Sequence, residues 1–288
     1  MKICRFDDQR VGVVEDNDVI DVTEATKALP PQNWPFPCYD VFVANWAAIR
    51  PQISALRAKG TRRPLARVSL LSPIANPNKI IGIAGNRKNR DSEVIDFGPG
   101  VELNNTRKES DPPRMFLKAN SALVGCSAGV ALRFVERRTD PEAEFTVVIG
   151  KQGTDIPDGK ALDYVFGYTI GIDMSLRGSE PPSTRKSIDS YAIVGPWLVT
   201  PDEVPDPGNV GFSLTVNGRL LQQSNTSNMQ FGVADIISHA SKFFTLYPGD
   251  IIMAGTPLGF DPSKPGDELV AEFDHIGKMH FSIRAHAS

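Results

Sequence analysis

Three acidic residues have types and spacings suited to a hard metal ion. Glu142 and Glu144 stand in the run Asp140-Pro141-Glu142-Ala143-Glu144, and Asp173 closes Gly167-Tyr168-Thr169-Ile170-Gly171-Ile172-Asp173. The β-branched stretch from Phe145 to Ile149 reads as a strand entered from a turn at Asp140-Pro141. Side chains two apart on a strand share a face, so Glu142 and Glu144 stand side by side, and Thr146 and Val148 carry that face from charged to apolar. Like charges this close raise each other's pKa unless a cation sits between them. An all-oxygen ligand set with no His or Cys nearby favours a hard divalent ion over zinc or copper. The competing reading is a solvated strand face with no ligand.

Other residues could serve an anionic ligand of such an ion. The polar segment from Gly85 to Arg114 has neither helical nor strand period and carries Arg87, Lys88, Arg90, Arg107 and Lys108. A structureless stretch of this length is either a lid over an anionic ligand or a disordered surface loop, and composition favours neither. The turn Gly255-Thr256-Pro257 offers backbone N–H groups and a hydroxyl, a small anion nest, or else an ordinary tight turn after a buried strand.

The elements that must position these groups are mostly strands. Lys2–Phe6, Val11–Glu15 and Val19–Val22 open the chain as short strands, followed by helices over Val41–Ile49 and Ile53–Lys59. The Pro-punctuated run Leu71–Pro77 reads as a linker, which places a small N-terminal β-rich domain with helices at 1–74 and a larger domain at 75–288. Within the latter, Asn78–Ala84 is a buried strand and Asn217-Gly218 marks a hairpin between Phe212–Val216 and Arg219–Gln223. Val233, Ile236, Ile237, Ala240 and Phe244 recur at helical spacing, Asp250–Ala254 is a buried strand, and Glu268–Phe273 with Lys278–Arg284 forms a closing pair. Strands outnumber helices without alternating with them, so the fold class is α+β, mainly β, and not a doubly wound nucleotide fold.

Composition bounds the function. A net charge of −3 and the absence of any basic run argue against nucleic acid as a partner. No apolar stretch is long enough to span a membrane, and Met1–Arg10 has no signal-peptide core, which points to the cytoplasm. The three cysteines, Cys4, Cys38 and Cys126, fit neither a disulfide framework nor a zinc site and read as packing thiols.

From about Lys79 onward the chain resembles the fumarylacetoacetate hydrolase family. Nine short blocks fall in that family's order, among them Phe116-Leu117-Lys118, Asp140 to Glu144, Asp173-Met174-Ser175-Leu176-Arg177, Lys186-Ser187-Ile188-Asp189, Gln222 to Met229 and Gly255-Thr256-Pro257-Leu258-Gly259. The resemblance implies a mixed β-sandwich roll, preceded by the small N-terminal β domain common in bacterial members. It implies that Glu142, Glu144 and Asp173 hold a divalent metal, usually Mg2+ and sometimes Mn2+ or Ca2+. It makes Lys186 the active-site lysine, where the residue alone would read as a surface lysine capping a turn. Gln222, Gly255 and Thr256 fall on substrate-binding positions. Arg177 reads as a buried partner of the acidic cluster. A homodimer is also implied.

One departure stands out. Where family members often carry Asn-Tyr-x-x-His-x-x-Glu, with His and Glu activating water, this chain reads Asn86-Arg87-Lys88-Asn89-Arg90-Asp91-Ser92-Glu93. Arginine stays protonated and cannot act as a general base. Glu93 is left as the candidate base, and Arg90 is suited to a second carboxylate on the substrate. The resemblance therefore implies cleavage of a C–C bond in an anionic 2-oxo acid or 1,3-diketone, by acylpyruvate-type hydrolysis or β-keto-acid decarboxylation through a metal-bound enolate, as in aromatic catabolism. Two alternatives are a hydratase or isomerase of a 2-hydroxy-dienoate, and a catalytically silent member that binds metal and ligand.

Overall fold

The computed structural model describes residues 1–88 and 111–287. Two mixed sheets pack face to face. In the larger, Arg62–Pro64, Asp18–Asp21, Arg10–Glu15, Lys2–Phe6, Ala192–Val199, Val165–Asp173, Ala143–Ile149, Ile251–Met253, Ile80–Ala84 and Arg114–Lys118 lie side by side in that order. The smaller runs Arg219–Asn225, Gly211–Val216, Glu268–Phe273, Gly277–Ala285 and Val130–Leu132. Between them lies one apolar core, with Phe145, Val147, Ile149, Ile170 and Ile172 from the first sheet meeting Leu214, Ala271, Phe273, Phe281 and Ile283 from the second. Alternation along Ala143–Ile149 sends Val148 to the opposite face, where Ile49 and Ile53 of helix Trp46–Arg57 cover it together with Val194 and Ile251.

The N-terminal strands continue this sheet: Lys2 pairs with Val199 and Ile3 with Leu198, antiparallel. Leu70–Leu71, which ends on the first residue of the expected Leu71–Pro77 linker, pairs with the same first strand, while Asp40 accepts hydrogen bonds from the Ala75 and Asn76 N–H groups and pins the rest of that run.

Two expectations are revised. The helices run Val41–Ala44 and Trp46–Arg57, so the chain breaks at Asn45 and passes through Pro51. Asn45 caps the first helix by donating its side-chain amide to the Val41 carbonyl. The fully buried pair Ile49 and Ile53, one turn apart, gains more by docking on the sheet together than Pro51 loses by leaving one carbonyl unbonded. Cys38 is exposed, so only Cys4 and Cys126 are packing thiols. The hairpin conforms, with Asn217 and Gly218 at φ of 50° and 77° as a primed turn requires. Among the described residues no helix is long and apolar enough to cross a membrane.

Candidate metal centre

Strand register assembles the trio. Ala143–Ile149 pairs antiparallel with Val165–Asp173, setting Glu144 opposite Gly171 and Thr146 opposite Thr169. One step further, just before the first strand begins, the Glu142 carbonyl accepts the Asp173 N–H at 2.8 Å. Directly opposed residues share a face, so all three carboxylates emerge on one side. They are buried, and one oxygen from each lies within 4.8 Å of the others. Gly171, opposite Glu144, leaves room for the neighbouring Thr146, since a Cβ there would sit 2.2 Å from Thr146 Oγ1.

Buried cations answer most of this charge. Lys186, just past the short helix Pro182–Arg185, donates from Nζ to Glu142 Oε2 at 2.7 Å, to Asp173 Oδ2 and to Ser175 Oγ. Arg177 spans Asp140 and Glu142, donating to one oxygen of each at 2.7 Å. Lys118 donates to Asp173 Oδ1 and to the Lys186 carbonyl. Three strands separate Arg114–Lys118 from Val165–Asp173 in the sheet order, so this contact shows how far the sheet curls back on itself. Above Lys186 the Phe116 ring lies with its centroid 5.0 Å from Nζ. Gly82, opposite Phe116 on the neighbouring strand, lets that ring lie flat, because a Cβ on Gly82 would come within 2.1 Å of it.

Glu144 is the exception. Among the described residues its carboxylate accepts one hydrogen bond, from the Gly255 N–H at 2.7 Å. Burial, then repulsion from Asp173 and Glu142, pushes its pKa well above the usual 4.5, with Lys186 only partly offsetting this. Glu142 goes the other way: burial alone would raise it, but Lys186 and Arg177 outweigh that and hold it well below. Burial likewise opposes the charge on Lys186, yet the surrounding carboxylates win and raise its pKa, whereas burial pushes Lys118 down. A buried all-oxygen set with one uncompensated member is what a divalent cation fits.

A stability prediction follows from Glu144. A carboxyl whose folded pKa exceeds its unfolded one contributes stability below pH 4.5 that is lost as pH rises through the folded value. Metal-free protein is therefore expected to melt progressively lower above pH 4.5, and a saturating divalent cation restores the loss. At a hundredfold excess over Kd the gain is about 2.7 kcal/mol, roughly 5–10 °C in Tm. Calorimetry from pH 5 to pH 8 with and without Mn2+ checks it, and a cation effect independent of pH contradicts it.

The turn after Ile251–Met253 supports the same carboxylate. Gly255 has a φ of 103°, and a Cβ there would lie 2.8 Å from Asn86 Cβ and 3.0 Å from the Ile83 carbonyl. Asn86 fixes this turn by donating its amide to the Phe231 and Ala254 carbonyls and accepting the Phe231 N–H. Gly255→Ala is expected to cost about 1–3 kcal/mol through backbone strain and to weaken divalent-ion affinity by turning the N–H away from Glu144. Chemical denaturation and Mn2+ titration read the two effects.

The structure brings together Glu142, Glu144, Asp173, Lys186, Gln222, Gly255 and Thr256. Gln222 accepts the Ala143 N–H and donates to Thr256 Oγ1 and the Gly259 carbonyl, so its amide knits the strand to the turn. The Gly255 N–H is likewise spent on Glu144. Arg90 and Glu93 lie outside the described residues. Arg177 is the buried partner of the acidic cluster that the sequence suggested. Lys118 acquired no role from the sequence; the signal available was a lysine ending an otherwise apolar stretch, Met115-Phe116-Leu117-Lys118.

The fold and this carboxylate centre are those of the fumarylacetoacetate hydrolase family of enzymes, and the chain belongs to that family: the model of the fumarylacetoacetate (FAA) hydrolase C-terminal region matches residues 79–284. Over its whole length the chain is similar to the maleylpyruvate hydrolase of Aquipseudomonas alcaligenes, 46% identical over 286 residues, covering 99% of this chain and 100% of that one. The crystal structure of maleylpyruvate hydrolase from Sphingobium sp. SYK-6, in complex with manganese(II) and pyruvate, superposes with a TM-score of 0.84 at 33% identity and covers all of both chains. The mitochondrial oxaloacetate tautomerase Fahd2a of Rattus norvegicus is 34% identical over 235 residues, 77% of this chain and 72% of that protein.

Proposed function

We propose that the protein hydrolyses an acylpyruvate that carries a second carboxylate, with maleylpyruvate the first substrate to test, using Mg2+ or Mn2+ and acting as a cytoplasmic homodimer. The observation that carries this reading is the buried trio with Lys186 set against it, in a chain similar end to end to maleylpyruvate hydrolases. A divalent ion held by Glu142, Glu144 and Asp173 supplies Lewis-acid polarisation of a keto oxygen.

The residues of the chain do the rest. Lys186, raised in pKa and held by three acceptors, offers a fixed positive charge to oxygen that becomes negative as the C–C bond breaks, and moves no proton away from itself. Phe116 keeps water off one side of that ammonium. Thr256, held by Gln222, presents its hydroxyl to the pyruvyl carboxylate. Glu93 is the proposed base for the attacking water, and Arg90 the proposed partner of the distal carboxylate; both assignments rest on the sequence pattern.

The test is a panel of acylpyruvates, oxaloacetate and ring-cleavage dienoates, assayed after chelation and after return of Mg2+ or Mn2+. Release of pyruvate and maleate from maleylpyruvate, dependent on the ion, is expected. Tautomerisation of oxaloacetate with no acylpyruvate cleavage would replace this reading with the one the rat relative's name suggests.

A further inference from the structure

Lys118 is wholly buried, and among the described residues its ammonium donates to Asp173 Oδ1 and to the Lys186 main-chain carbonyl. Taking an ammonium out of water costs several kcal/mol, which one carboxylate repays only in part. Asp173 already has a cation on its other oxygen, since Lys186 donates to Oδ2, and Lys186 also serves Glu142. Asp140 and Glu142 have Arg177. A second lysine on Asp173 is thus more than holding that carboxylate in place requires.

The affinity of a carboxylate site for a divalent ion, and the residual charge that ion shows to its substrate, both follow from the charge the site presents. We propose that Lys118 is an internal counter-ion that offsets one of the three ligand charges, so that the bound ion is held less tightly and remains a stronger electrophile, while its second hydrogen bond fixes the main chain that carries Lys186. Lys118 is thus a positioning and charge-setting residue rather than a catalytic one. The proposal rests on the metal-dependent reading given above.

Its sign separates it from a scaffold role. Losing scaffold loosens the trio and weakens ion binding; losing a counter-ion leaves the trio more negative and tightens it. Lys118→Met is expected to bind Mn2+ roughly tenfold more tightly than wild type, with kcat lowered about tenfold and KM not raised. Lys118→Gln keeps a donor without the charge and should behave alike. Lys118→Arg keeps the charge and should hold Mn2+ within about threefold of wild type.

Binding is read by electron paramagnetic resonance of free Mn2+ on purified protein at two pH values, which separates proton competition at Glu144, and folding is checked by calorimetry on the same samples. Unchanged or weaker Mn2+ binding in a folded neutral variant overturns the proposal. So does failure of both neutral variants to fold while Lys118→Arg folds, which assigns Lys118 to the scaffold. If wild-type protein binds no Mn2+ at all, the metal-dependent reading itself fails, and that result is distinct from either.

Discussion

Glu144→Gln is expected to abolish divalent-ion binding and activity while leaving the fold intact or slightly more stable. The carboxylate accepts one hydrogen bond among the described residues, from Gly255, and a glutamine carbonyl can accept the same one. Replacing it removes a buried charge that burial and two neighbouring acids already disfavour. Metal-free stability should therefore stay level or rise by about 1 kcal/mol, while Mn2+ affinity falls at least about a hundredfold and kcat/KM at least about a thousandfold. Asp173→Ala provides the contrast. It leaves Lys118 and Lys186 without a shared partner in a dry site, and stranding buried charges costs about 3–5 kcal/mol. The two variants should look alike in activity and different in calorimetry. Ion-dependent turnover surviving in Glu144→Gln would remove the trio from the mechanism.

Lys186→Met should separate ion binding from chemistry. After its loss Glu142 still has Arg177, and Asp173 still has Lys118, so the carboxylates stay partnered and the protein stays folded. Mn2+ should bind at least as tightly as before, because a competing positive charge has gone. Yet kcat should drop by about 10²–10⁴-fold, the range seen when a charge-stabilising or proton-handling group is deleted. Parallel Mn2+ titration and steady-state kinetics decide it; an equal loss of ion affinity would mean that Lys186 builds the site and does not act within it.

Much of this was legible in the sequence because it depends on short-range periodicity. Glu142 and Glu144 two apart, the β-branched run after them, and Asn217-Gly218 all encode local geometry with one solution. Helix Val233–Phe243 and the closing strands likewise matched their patterns. What escaped depends on contacts distant in the chain. Pro51 reads as a helix breaker, but Ile49 and Ile53 dock the helix across it, and no local signal reports that sheet. Lys118 lies 55 residues from Asp173 in sequence, and only the curl of the sheet brings them together. Gln222 and Gly255 show the converse. The structure sets both beside the acidic trio, with their hydrogen-bonding groups occupied within the protein, which only coordinates reveal.

The pairing of Glu144 with Gly171 and of Glu142 with Asp173 carries a kinetic corollary. A slip of one residue between these two strands would turn the acids to the opposite side, so nothing resembling the ion's seat exists until the sheet has closed in its final alignment. An ion that recognises only the finished molecule acts as a latch. It should prolong the lifetime of the native state while leaving the speed at which chains reach it unchanged.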